Sequence, residues 1–181
     1  INNAARDPKV SNVGLENNNR LEEFSLIEWE KDLSVGLTGA FLCTKYFGSL
    51  MNNNEGGTII NISSDLGLIA PNQRLYKNED EIPEKQPVKP VSYSVIKSGL
   101  IGLTRYTSTY WPTKVRCNCL CPGGVFNNQS NDFIEKVSEL IPLGRLANHD
   151  EYMPAIVFML SNASSYMNGA IISIDGGRTC W

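Results

Sequence analysis

Residues 56–64 read GGTIINISS. Two glycines open a run of β-branched and apolar residues in which Ile59 and Ile60 stand side by side instead of alternating with polar ones. A strand with no polar face is buried on both sides, which is the habit of parallel sheets covered by helices. Two further runs share this character. KVRCNCLC (114–121) is stopped by PGG, and GAIISIDGG (169–177) lies near the end of the chain.

Between the strands lie helical patterns. FSLIEWEKDLSVGLTGAFLCTKYFGSLMNNN (24–54) has Ser25 with Glu28 three residues on, a capping box, followed by Leu33, Leu37 and Phe41 at helical spacing. This predicts a long helix that ends near the asparagines. A second long helix is predicted over about 92–110, stopped by Pro112. A short helix is expected near 132–140 and another in DEYMPAIVFMLSN (150–162). Alternation of strands and helices argues an α/β domain with a parallel sheet. APNQRLYKNEDEIPEKQPVKP (70–90) holds four of the nine prolines and many charges, so it reads as a surface excursion.

Composition narrows the function classes. The 181 residues are 41% hydrophobic and 19% charged, which suits one globular domain. A net charge of −3 argues against a nucleic-acid surface, and no apolar run is long enough to span a membrane. Five cysteines without a disulfide framework, and no signal-peptide pattern, suggest a reducing cytoplasm. Cys117, Cys119 and Cys121 alternate along one strand and read as buried core rather than as a metal site. His149, in the polar run ANHDE, reads as a surface residue.

The chemistry concentrates at strand ends. Ligands of parallel α/β sheets sit outside the carboxyl ends of the strands. Ser63 and Ser64 close the first strand, and Pro122, Gly123 and Gly124 close the second. VSYSVIKSGL (91–100) opens the helix after the first strand and sets Tyr93 and Lys97 one helical turn apart, on one face. Ser64, Tyr93 and Lys97 can therefore converge on one crevice.

With NNAA (2–5), INISS (60–64), YSVIK (93–97), CPGGV (121–125) and YMNGAIISIDGG (166–177) in this order, the chain resembles the short-chain dehydrogenase/reductase family over essentially its whole length. The resemblance implies the C-terminal part of a Rossmann-like doubly wound parallel sheet, with residues 1–181 as a single partial domain. It implies hydride transfer between NAD or NADP and an alcohol or carbonyl. Tyr93 would be the general acid/base, Lys97 would lower its pKa and hold the nicotinamide ribose, and Ser64 would hydrogen-bond the reacting oxygen. A free tyrosine titrates near 10, so work near pH 7 needs a shift of about three units, roughly 4 kcal/mol. An adjacent cation is the right kind of perturber. Asn3, Ala4, Gly123, Val125 and Asn127 are the cofactor contacts that the resemblance carries over, along with Tyr93 and Lys97. Partners would be a small polar substrate and, through the two long helices of the full-length protein, a second copy of the chain.

Four departures from the family pattern stand out. Gly36 takes the place of the usual helix asparagine of the proton relay, leaving a water, another side chain or an altered site as alternatives. Asn127 stands at the usual threonine after the PG turn. The interval between Ser64 and Tyr93 is long, because of the charged insertion around 72–90. That insertion reads either as solvated surface or as a specificity lid whose Arg74, Lys77 or Lys85 meets an anionic group. It resembles, with the SSYMNG…DGGRTCW ending, the branch associated with flagellin-glycan and surface-sugar biosynthesis. Finally, the Gly-rich phosphate loop and first strands should precede NNAA, so roughly 80 residues are expected to be missing, and the chain alone is expected to be inactive. A sugar-nucleotide epimerase or dehydratase shares the Tyr–Lys pair but carries a substrate domain where this chain has only RTCW. A non-catalytic binding protein that keeps the fold is the remaining alternative.

Overall fold

The structure is a computed structural model and describes residues 1–6, 19–78 and 81–181. Three parallel strands, β1 (Gly57–Ile62), β2 (Val115–Pro122) and β3 (Ile171–Ile174), lie in that order in one sheet. Ile62 pairs with Leu120, and Pro122 with Ile174, so the carboxyl ends align. Asn2 extends the sheet on the other side of β1 through a parallel bridge to Asn61. Its N–H donates to Ile60 O, and its carbonyl accepts from Ile62 N.

The adjacent isoleucines are buried on opposite faces of β1. Ile59 packs with Val115, Cys117 and Met51, while Ile60 packs with Leu120 and Met159. This is the two-sided burial that the absence of alternation predicts. Helices cover the faces. α1 runs over 26–53 as α-helical Leu26–Leu33, Gly39–Cys43 and Ser49–Asn53, joined by π-helical turns Ser34–Thr38 and Thr44–Gly48. α2 is Val91–Tyr110, α3 is Asn131–Ser138 and α4 is Met153–Leu160. Ser25 caps α1 by accepting from Ile27 N, but the reciprocal half of the expected capping box is not made. Glu28 instead binds Lys31 and Arg6.

Gly36 is explained by packing. α1 and α2 meet through Ala40, Ile96 and Leu100, flanked by Leu33 and Leu37. A Cβ on Gly36 would lie 2.7 Å from Ile96 Cγ2. The methyl branch of α2 fills the volume that a side chain at position 36 would need. Gly36→Asn is therefore expected to lower stability by about 1–3 kcal/mol, the usual cost of overpacking. Denaturant unfolding measures this, and addition of Ile96→Ala should recover part of the loss.

The insertion is largely exposed but anchored at points. It folds into short 3-10 turns at Gln73–Tyr76 and Pro83–Lys85, with residues 79 and 80 outside the described residues. Leu75 is buried against Val137, Ile141 and Leu146, with Tyr76 and Phe133 beside it. Gln86 Nε2 donates to Asn78 O, and Arg20 Nη1 donates to Pro83 O. His149 is exposed, and Cys117, Cys119 and Cys121 are fully buried. Among the described residues, no helix is long and apolar enough to cross a membrane.

Candidate active site

The crevice at the carboxyl end of β1 is assembled by hydrogen bonds between the Ser63–Gly67 loop and α2. Ser63 Oγ donates to Lys97 O at 2.7 Å, and Ser98 Oγ donates to Gly67 O at 3.2 Å. Gly67 permits this approach, since a Cβ there would lie 2.9 Å from Lys97 O. The loop thus rests directly on the turn of α2 that carries Lys97. The N-terminus of α2 is fixed from the other side. Ser92 Oγ donates to buried Asp32 on α1 at 2.6 Å, and Arg6 Nη1 donates to the other Asp32 oxygen at 2.9 Å.

On this frame Lys97 is 8% exposed, and its Nζ donates to Ile62 O at 3.0 Å. That bond fixes the ammonium at the mouth of the sheet. The same Nζ lies 5.6 Å from the ring centroid of Tyr93, within the distance at which a cation is attracted to an aromatic face. Ser64 follows Ile62 by two residues and is buried. Its hydroxyl donates to Asp65 Oδ1 at 2.7 Å and accepts from Leu66 N at 3.2 Å. Asp65 is itself held by Arg178, whose Nη1 donates to Oδ2 at 3.0 Å, with both side chains buried. The C-terminal segment therefore braces the serine loop.

Of the residues singled out in the sequence, Tyr93 and Lys97 meet directly, and Ser64 lies on the loop bonded to the same helix. Asn3 and Ala4 are exposed just past the Asn2 bridge, beside Ile62. Val125 is bridged to Ala147, and Asn127 is exposed with its N–H on Gln129 Oε1. Gly123 has a structural task as well as an expected cofactor contact, since a Cβ there would meet Asp175 Cα at 2.8 Å. Tyr152 OH donates to Gly123 O at 3.0 Å, and burial pushes this phenol up to about 12, so it stays a donor. Arg74, Lys77 and Lys85 are exposed. The cation that the insertion sets against the site is Lys89, with Nζ 3.8 Å from the Tyr93 centroid.

Two of the three β2 thiols are pushed above the usual thiol range. Burial pushes Cys117 up to about 11. Cys119 is held well above the usual thiol range by its contact with Cys121, Sγ to Sγ 3.9 Å, and by burial. The same contact with Cys119 holds Cys121 below the usual thiol range, against its burial.

Asp32, Asp65, Lys89 and Arg178 are the participants that the sequence reading passed over. A polar chain was also missed, in which Asn2 Nδ2 donates to Asn61 Oδ1 and Asn61 Nδ2 to Thr104 Oγ1. The polar Asn61 inside an otherwise apolar strand was the one available signal for it, because a fully buried amide must find partners.

Comparison with known proteins gives two family matches. Residues 83–179 match the family described as enoyl-(acyl carrier protein) reductase, and residues 7–76 match the one described as short chain dehydrogenase. The 3-oxoacyl-[acyl-carrier-protein] reductase of Aquifex aeolicus is 32% identical, over 94% of this chain and 64% of that protein. The NADP-dependent mannitol dehydrogenase of Hypocrea jecorina is 31% identical, over 96% of this chain and 61% of that protein. Among solved structures, the short chain dehydrogenase of Leptospira borgpetersenii with bound NAD+ superposes with a TM-score of 0.80 at 32% identity, covering 92% of this chain and 62% of that one. The chain thus spans less than two thirds of the length of each of these three proteins.

Proposed function

Because the chain belongs to the short-chain dehydrogenase family, we propose that it takes part in hydride transfer between NAD or NADP and an alcohol or carbonyl carbon of a polar, sugar-like substrate, with Tyr93 as general acid/base. The observation that carries this reading is the placement of Lys97. Its ammonium is fixed on Ile62 O at the end of β1 and lies beneath the ring of Tyr93.

The residues fit the nicotinamide half of such a cofactor. Asn3, Ala4, Lys97, Gly123, Val125 and Asn127 fall at or just beyond the carboxyl ends of the parallel strands, where α/β sheets take their ligands. When bound, the nicotinamide would accept or supply the hydride. Tyr93 takes the proton from a substrate hydroxyl during oxidation and returns it to the oxygen during reduction. Lys97 favours the phenolate form by its charge. Ser64 already donates to Asp65 and accepts from Leu66, which leaves one oxygen lone pair for a substrate hydroxyl.

The mannitol dehydrogenase among the relatives supports a polyhydroxylated substrate. The charged insertion and the DGGRTCW ending support the branch that builds surface sugars and flagellin glycans. The two long helices carry the self-association surface, on which Phe47, Leu50, Tyr106 and Tyr110 are exposed. The test is nicotinamide absorbance with protein made from the complete gene, offered sugars, polyols and a 3-oxoacyl thioester. Turnover of polyols or sugars supports the reading. Turnover of the thioester alone would replace the substrate class, and no turnover at all favours a binding role for the fold.

A further inference from the structure

The neighbours of Ser64 decide what its hydroxyl has to offer. Its Oγ donates to Asp65 Oδ1 at 2.7 Å and accepts from Leu66 N at 3.2 Å. Asp65 forms an ion pair with Arg178 at 3.0 Å, with both side chains buried. A carboxylate in that state accepts and cannot donate, so the single proton of Ser64 lies toward Asp65. The bond is charge-assisted, roughly twice as strong as one between neutral groups. Leu66 N donates to the same Oδ1 at 2.8 Å, which holds the carboxylate in place from a second side. With its partners among the described residues, Ser64 keeps one lone pair and no hydrogen. The loop that carries it is bonded to the turn of α2 at Lys97, one turn from Tyr93.

A reacting alcohol has one hydroxyl proton. During oxidation its carbon gives the hydride to the nicotinamide and its oxygen gives that proton to Tyr93, which leaves a carbonyl. Neither the reacting hydroxyl nor the carbonyl then has a hydrogen for Ser64. We propose that Asp65, held by Arg178, makes Ser64 the acceptor for a second substrate hydroxyl, on the carbon next to the reacting one. The site thereby selects vicinal diols and α-hydroxyketones over simple alcohols and ketones. Asp65 and Arg178 are positioning residues in this scheme. A simple ketone is served only if the Ser64 proton turns away from the carboxylate, which exchanges a charge-assisted bond for a neutral one.

This inference rests on the reading of Tyr93 as acid/base, and its test uses full-length protein with two pairs of similar shape. The kcat/KM for cis-1,2-cyclohexanediol should exceed that for cis-2-methylcyclohexanol by about tenfold or more. Ligand-observed NMR titration without reduced cofactor should rank 2-hydroxycyclohexanone above 2-methylcyclohexanone by a similar factor. Ser64→Ala should bring both ratios close to one. Asp65→Leu with Arg178→Met should do the same, because the acceptor for the serine proton is gone. Asp65→Asn with Arg178→Met keeps an oxygen for Ser64 and should retain most of the preference. Both double variants lack the ion pair, so a structural role alone would not separate them. Thermal melting checks that each is folded, and Ser64→Ala carries the test where one is not. Equal affinity of the wild type for the two ketones overturns the proposal, as does a Ser64→Ala variant that keeps the wild-type ratios. Absence of turnover with every alcohol, while the ketone preference persists, would instead overturn the reading of Tyr93 and leave the hydroxyl recognition standing.

Discussion

Tyr93→Phe is expected to lower kcat by at least about 10²–10⁴-fold, the usual contribution of a positioned proton donor and acceptor, while NAD(H) affinity changes little. The substitution removes one oxygen and keeps the ring. Lys89 and Lys97, at 3.8 and 5.6 Å from the centroid, would still face an aromatic surface. The bond from Lys97 to Ile62 O does not involve the phenol. Both the frame of the crevice and the cation that would hold the ribose therefore survive. What disappears is the atom that exchanges a proton with the substrate oxygen. Steady-state nicotinamide absorbance gives kcat, and calorimetric titration of the cofactor gives affinity, both on full-length protein. Unchanged turnover removes Tyr93 from the mechanism. Equal losses of turnover and affinity would make it a binding residue instead.

How far the sequence discloses this site depends on the range of the interaction. The strands are legible because Ile59 and Ile60 break alternation, a signal contained in two adjacent residues. Tyr93 and Lys97 are legible because one helical turn brings them together. The π-helical turns of α1 leave no mark on the spacing of Leu33, Leu37 and Phe41, and the Gly36–Ile96 contact joins residues on different helices. The insertion is harder still. Leu75 is one buried apolar side chain in a charged, proline-rich run, and one residue has no period. Its depth depends on Val137, Ile141 and Leu146, more than sixty residues away.

The pair least visible in sequence, Asp65 and Arg178, is 113 residues apart, and breaking it should have the largest effect on stability. Arg178→Met is expected to cost about 3–5 kcal/mol, because it leaves a carboxylate in the interior without its counter-charge. Asp65 would keep two donors, Ser64 Oγ and Leu66 N, each to Oδ1, while Oδ2 would lose Arg178. The side chains of the pair are only 4% and 8% exposed, so little water is at hand to replace the arginine. Asp65→Asn combined with Arg178→Met removes the stranded charge yet keeps an amide oxygen for Ser64 and Leu66. The double variant should therefore lose less than the sum of the two single losses. Denaturant unfolding at constant m-value measures each corner of the cycle. A single-variant loss below about 1 kcal/mol would mean that Asp65 reaches solvent, as an exposed ion pair does. The brace on Ser64 would then have to come from the two bonds to α2, Ser63 to Lys97 O and Ser98 to Gly67 O.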